Sequence, residues 1–150
     1  MVTIKEFNFE DYSNFSTELL VIGHFSGATF KNAFKYFDQS NREKVFSALK
    51  LDSYKGKEGE HLIVYGSNKL KRILLYSLGD KDKLTNDLLR AHASKIIRLA
   101  NSRKVNSLSI DCASFGMLNK NKAQSIIEGL MLGSYSFEDY KSKKKKTKRV

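Results

Sequence analysis

Seven basic side chains crowd the last ten residues: Lys141, Lys143, Lys144, Lys145, Lys146, Lys148 and Arg149, with no acid among them. Such a run can contact phosphates and confers a salt-dependent, sequence-blind affinity for nucleic acid. No aromatic residue after Tyr140 interleaves with it to stack on bases, so the signal is electrostatic alone. The same charges would attract an anionic membrane surface, but no lipidation motif or apolar helical anchor accompanies them. Metal chemistry finds less support. His24, His61 and His92 are isolated in sequence, without H-x-x-H or H-E-x-x-H spacing, and Cys112 has no second cysteine to complete a site. His24 lies inside an apolar stretch and reads as a packed, hydrogen-bonded histidine.

Nucleophilic and phosphate chemistry would have to be built at strand ends. Cys112 follows Asp111 where a strand should finish, a position at which α/β proteins often place functional groups. On an apolar face a cysteine is ordinarily a small hydrophobe, and a thiol enzyme built on Cys112 is the weakest of three readings. No G-x-S-x-G elbow promotes Ser109 or Ser114. "GHFSG" (23–27) and "SLGD" (77–80) each follow a strand pattern, which is where backbone N–H groups could cradle an anion. Neither is a G-x-G-x-x-G or Walker loop, so each reads as a lone turn glycine.

The elements that must position these groups alternate in type. "ELLVIGHF" (18–25), "EHLIVYG" (60–66), "KRILLYSLG" (71–79) and "VNSLSIDC" (105–112) are short, branched or aromatic, and bounded by turn residues, the pattern of strands. "LIVY" and "ILLY" are continuous rather than alternating, which predicts strands buried on both faces. In the last strand Leu108, Ile110 and Cys112 share one face. "YGSNKLKR" would close a hairpin. Helical patterns lie between them. Residues 85–104 open with Thr85 as N-cap and align Leu89, Ala93, Ile96, Ile97 and Ala100 in one stripe. Residues 121–132 do the same with Ala123, Ile126, Ile127, Leu130 and Met131. A third helix covers 41–50, capped by Ser40 or Asn41, with Val45, Phe46 and Leu49 inward. Residues 50–61 read as an exposed loop.

These alternations predict an α/β fold: three layers, a mostly parallel mixed sheet with helices on both faces. A chain of 150 residues, 41% hydrophobic, is long enough for one sizeable core, placed here over residues 1–142, with 143–150 as a flexible basic linker or tail. The net charge of +11 is mostly the tail, since residues 1–140 carry +4. A single cysteine and no signal-peptide pattern point to a reducing, cytoplasmic setting. No apolar run approaches the roughly 18–20 residues that span a bilayer, so a soluble protein without a membrane partner is expected.

The stretch "EGLMLGSYSFEDYKSKKKK" resembles the end of the N-terminal domain in the leucyl aminopeptidase (cytosol aminopeptidase, peptidase family M17) family, through Glu128, Gly129, Leu130, Leu132, Gly133, Tyr135, Phe137, Tyr140, Lys141 and Lys143. Upstream, "ELLVIGHFSG", "YKGKEGEHLIVYG" and the segment from "RILLYSLGD" to "VNSLSID" are similar to the family in order and spacing, so the likeness covers residues 18–146. One departure is Ser77-Leu78-Gly79, where the family often carries G-L-G.

The resemblance implies a macro-domain-like fold and a noncatalytic role in assembly or regulation. In the family, two divalent metals (zinc or manganese) are held by a separate C-terminal catalytic domain, in motifs such as N-T-D-A-E-G-R that these residues lack. The parent enzyme would hydrolyse N-terminal residues from peptides as a homo-hexamer. No catalytic, cofactor or metal residue therefore transfers to this sequence. The alternative reading is a stand-alone basic binding module, for nucleic acid through the tail or for an ADP-ribose-like ligand through the strand-end loops.

Overall fold

The computed structural model of the protein describes residues 17–26, 37–67, 69–116 and 119–148, with side chains of the last segment as far as residue 135. The elements are β1 (Leu20–His24), α1 (Gln39–Leu51), β2 (His61–Tyr65), β3 (Arg72–Ser77), α2 (Asn86–Ser102), β4 (Ser109–Asp111) and α3 (Lys120–Lys148). Short 3₁₀ turns lie at Lys81–Lys83 and Cys112–Phe115. The chain divides into two compact units: the sheet with α1, within Ile4–Leu84 and Ser107–Leu118, and the α2–α3 pair, within Thr85–Asn106 and Asn119–Val150. No helix among the described residues is long and apolar enough to cross a membrane.

In the sheet unit the strand order is β2-β3-β1-β4. β1 runs parallel to β3 and β4, while β2 is antiparallel to β3, so the sheet is mixed as the sequence predicts. The β2–β3 hairpin closes on the Gly66 N–H, which donates to the Lys71 carbonyl at 3.0 Å. β1 and β3 are buried almost throughout. β2 is not: Leu62 and Val64 are buried, while His61 and Tyr65 are exposed. The unbroken "LIVY" run predicts burial on both faces, but β2 is an edge strand and only one of its faces meets α1. Leu20, Ile22, Leu62, Val64, Ile73 and Leu75 form that packed face with Val45 and Phe37, joined by Phe46 and Leu49.

Helix ends account for two further differences. The cap of α1 is Asp38, whose carboxylate accepts from the Asn41 N–H at 3.0 Å, so the helix starts before the predicted Ser40 or Asn41. Asn41 is instead buried, and its Oδ1 accepts from the Ser67 N–H at 2.7 Å. α2 keeps its predicted cap, Thr85, which accepts from the Leu88 N–H at 3.2 Å. At the other end Lys104 adopts φ 57°, the Val105 N–H donates to Ala100 O and the Lys104 N–H to Asn101 O. This Schellman closure consumes the start of "VNSLSIDC", leaving only Ser109–Asp111 to pair as β4.

In the helical unit the predicted α2 stripe of Leu89, Ala93, Ile96, Ile97 and Ala100 is buried. α3 is longer than the predicted 121–132: its backbone is helical as far as Lys148. Ile126 and Leu130 are buried, but Met131 is 59% exposed rather than part of the stripe. The cause is the glycines. A Cβ on Gly129 would stand 2.3 Å from the Arg90 carbonyl oxygen, and one on Gly133 would stand 2.7 Å from that of Ser94. α3 therefore meets α2 along 126, 129, 130 and 133, and Met131 turns outward.

Candidate functional site

Parallel pairing of β1 with β3 sets His24 beside Ser77, so the two predicted strand-end loops lie together. They bond each other: the Ser26 N–H donates to Gly79 O and the Leu78 N–H to His24 O, both at 2.8 Å. Gly79, at φ +79°, is the turn glycine the sequence suggests. The Gly79 N–H donates to Ser77 Oγ at 3.3 Å, and Ser77 Oγ donates to Gly56 O at 2.7 Å. On the β4 side the Gly23 N–H donates to Ser114 Oγ at 2.8 Å, while that hydroxyl donates to the Asp111 carbonyl. The Phe115 ring lies where a Gly23 Cβ would be, 2.7 Å away, so aromatic carbon fills the crevice beside the strand end. The N–H groups of Gly23, Ser26, Leu78 and Gly79 are thus spent on protein acceptors rather than aimed at an anion.

The loop predicted over residues 50–61 is exposed along most of its length, as expected, and closes on this end of the sheet through Tyr54, Gly56 and Glu60. α1 finishes in a second Schellman turn, with Ser53 at φ 50° and the Tyr54 N–H on Leu49 O. That turn aims Tyr54 at His24. Gly59, at φ +79°, and Glu60 together oppose Ser77: Gly59 N–H donates to Ser77 O and Ser77 N–H to Glu60 O. This is a bulge that returns the chain into β2. The Glu60 carboxylate accepts from the Lys57 N–H at 3.0 Å, which with other backbone donors holds its pKa below the usual range.

His24 sits at the centre, 3% exposed. The Phe25 carbonyl can only accept, so Nδ1, at 3.0 Å from it, carries the proton. Nε2 then accepts from the Tyr54 hydroxyl at 2.6 Å. Burial lowers the His24 pKa, opposed by the Phe25 carbonyl and the Glu60 charge. Protonation would reverse the bond to Tyr54 and send the phenolic proton to Glu60 O, 3.2 Å away. Burial and then Glu60 raise the Tyr54 pKa, so the hydroxyl keeps its proton at neutral pH. Tyr76 is likewise pushed up to about 12, by burial first and Glu58 second. The His24–Tyr54 pair and the bonds of Ser77, Gly79 and Glu60 around it tie the 52–60 loop to the ends of β1 and β3.

A pH dependence follows. The unfolded chain protonates His24 near the usual 6.5, whereas the folded chain takes that proton only at lower pH. Its stabilising contribution is therefore present above that value and lost as the pH falls through it toward the lowered folded value. The melting temperature should fall between pH 7.5 and 5.5, with a shallower slope in His24→Gln. Equal slopes in thermal melts of the two proteins would remove His24 as the cause.

The other candidates are dispersed. His61 is exposed on β2, His92 is buried in α2, and Cys112 is half-buried where β4 passes into its 3₁₀ turn. Ser109 Oγ donates to Thr17 Oγ1 at 3.1 Å. Lys141, Lys143, Lys144, Lys145, Lys146 and Lys148 lie on the α3 backbone; their side chains, and Arg149 altogether, fall outside the described residues. A hollow of ≈ 470 Å³ between α1 and β2, lined by residues including Glu43, Lys44, Leu51 and Tyr65, brings no histidine or cysteine to a common point. No group of three or more His, Cys, Asp or Glu side chains that could hold a metal occurs among the described residues. The described side chains therefore offer no donor set that fits two divalent metals.

Side-chain contacts also join the two helices of the helical pair. Glu128 accepts from Arg90 Nε at 2.6 Å, Arg90 also reaches Asp87 at 2.7 Å, and Ser94 Oγ donates to Gly129 O at 2.8 Å. The pair holds Arg90 above its ordinary pKa and Glu128 below its own. Glu128, Gly129 and Gly133, which anchor the family-like stretch in sequence, thus share one job: fixing α3 against α2. Residues 21–144 match the cytosol aminopeptidase family, N-terminal domain. The chain belongs to this family.

Among curated relatives of the cytosol aminopeptidase family, a probable cytosol aminopeptidase of Sulfurihydrogenibium sp. is 40% identical over 110 residues, covering 71% of this chain and 22% of that protein. The corresponding protein of Chlorobium limicola is 32% identical over 143 residues, covering 89% of this chain and 27% of its own length. The chain thus spans about a quarter of the length of these relatives. A tomato leucine aminopeptidase variant superposes with TM-score 0.61 at 20% identity, over 81% of this chain and 26% of that one. The macrodomain of Mycobacterium tuberculosis DarG superposes with TM-score 0.61 at 16% identity, over 88% and 91%. The fold is α/β and macro-domain-like.

Sequence reasoning missed Tyr54, Glu60 and Phe115, because nothing local distinguishes them from ordinary loop residues. Gly129 and Gly133 carried a usable signal: two glycines four apart on an amphipathic helical pattern mark a close helix approach.

Proposed function

We propose that this chain is the noncatalytic N-terminal domain of a leucyl aminopeptidase-like metallopeptidase, acting in its assembly or regulation. The parent would be a cytoplasmic, metal-dependent hexamer that removes N-terminal residues from peptides. In this reading 1–142 form the domain and the basic run from 143 leads toward the catalytic part. The observation that carries it is the family match over residues 21–144, and the bonding of the strand-end groups to one another is in keeping with it. The test joins this chain to the part of the Sulfurihydrogenibium relative that follows the matched region. The chain alone, with zinc or manganese added, should not hydrolyse a leucyl anilide, and the joined protein should differ from the catalytic part alone in oligomeric state or heat resistance. Hydrolysis by the chain alone, or a catalytic part indifferent to it, would sink the proposal.

A second reading, nucleic-acid binding, has its own support in how charge is divided. Residues 85–106 and 119–150 carry +10 of the net charge, while residues 4–84 with 107–118 carry only +1. A cationic unit of this kind would bind a duplex with strong salt dependence. Fluorescence anisotropy at two salt concentrations should show weak binding that is lost without residues 141–150. Binding unchanged by that truncation would assign it to Lys95, Arg98 and their neighbours on the helices.

A further inference from the structure

We infer that the outward face of α3 formed by Met131, Leu132 and Tyr135 is a docking surface for the segment that follows this domain in the longer family members, an inference that rests on the N-terminal-domain reading above. α3 has two apolar faces rather than one. The first, through Ile126, Gly129, Leu130 and Gly133, is consumed by the close approach to α2. The second follows the spacing i, i+3, i+4, i+7 from Glu128 and leaves Met131 59%, Leu132 59% and Tyr135 71% exposed. Three large apolar side chains side by side, rimmed at one end by the Arg90–Glu128 and Arg90–Asp87 pairs, are the composition of a protein interface. Nucleic acid seeks cations and offers such a face little.

The size of the patch and its place along the chain select the occupant. An independent partner needs on the order of 1,000 Å² of buried surface for a stable complex, more than three side chains provide. A tethered partner does not, because a short connection holds it at an effective concentration of about millimolar. The family match ends at residue 144, inside α3, nine residues beyond Tyr135. At a helical rise of about 1.5 Å per residue this is about 14 Å along the same helix. This chain covers only 22% of the Sulfurihydrogenibium relative, so the bulk of that protein lies outside the matched portion.

Hydroxyl-radical footprinting tests the assignment without mutation. In this chain joined to the remainder of the Sulfurihydrogenibium relative, oxidation of Met131 and Tyr135 should fall several-fold against the chain alone. Unchanged oxidation overturns the inference. The combined Met131→Gln, Leu132→Gln and Tyr135→Ser variant should speed tryptic cleavage at the basic run of the joined protein, yet leave the melting temperature of the chain alone unmoved. A lower melting temperature in the chain alone would assign the face to the domain's own packing. A dimer of the chain alone that the variant disperses would assign it to a second copy. Both results overturn the inference. If the N-terminal-domain reading itself fails, no part of the chain gains protection on joining; if only the docking face is misassigned, protection appears elsewhere but not at Met131 and Tyr135.

Discussion

Alanine at Gly129 will destabilise the protein by about 2 kcal/mol, although helix propensity alone predicts the opposite sign. In an isolated helix, Gly→Ala is favourable by about 1 kcal/mol, because glycine loses more backbone entropy on folding. Here the added Cβ would fall 2.3 Å from the Arg90 carbonyl oxygen and 2.7 Å from the Ala93 Cβ. The nearest obstacle is backbone, which cannot turn aside as a side chain can. α2 and α3 must separate, losing dispersion contacts along the seam and stretching the Ser94 Oγ bond to Gly129 O. Gly133→Ala should behave alike, since its Cβ would meet Ile97 at 2.4 Å and the Ser94 backbone. Urea unfolding of the two variants beside Ser134→Ala, at a half-buried neighbouring helical position, gives the comparison. A gain in stability at either glycine would mean that the helices do not meet there.

Truncating Phe115 to alanine should cost about 3–5 kcal/mol, among the larger losses a single substitution can cause. The ring is 1% exposed and lies against the Gly23 backbone at the end of β1. Removing it empties the crevice where Gly23 N–H meets Ser114 Oγ and unseats the turn after β4. Gly23→Ala should also destabilise, by about 1–3 kcal/mol, because its Cβ would stand 2.7 Å from the ring. The two defects are complementary. In the double variant Gly23→Ala with Phe115→Leu, the smaller side chain makes room for the methyl group, and the combined loss should be less than the sum of the separate losses by about 1 kcal/mol. Strict additivity in denaturant unfolding would show that the ring does not occupy that space.

Much of the framework was legible in advance, for reasons that are local. The α2 stripe from Leu89 to Ala100 follows from a 3.6-residue period that any helix must bury on one side, and Thr85 caps it because its side chain needs no tertiary partner to do so. The family likeness was readable through Glu128, which pairs with Arg90, and through Gly129 and Gly133, where the approach of α2 leaves no room for a Cβ. Local pattern misled where the answer depended on neighbours. "LIVY" and "ILLY" look alike, yet one forms the sheet's edge and the other lies inside it, and strand order is not written in either run. Met131 fits a helical stripe by spacing, but two glycines rotate that stripe away from it.

By itself, then, the order of residues determined an α/β chain of alternating strands and helices, a basic end and a family resemblance, because periodicity, capping and glycine placement act over a few residues. Only the tertiary structure decided what the conspicuous side chains do. Parallel pairing of β1 with β3 placed His24 beside Ser77, and the turn after α1 carried Tyr54 across 30 positions to within 2.6 Å of it. Those contacts turned candidate chemical groups into structural ties. Hydrogen bonds and close packing depend on distances between segments remote in sequence, and a distance of that kind exists only once the chain has folded.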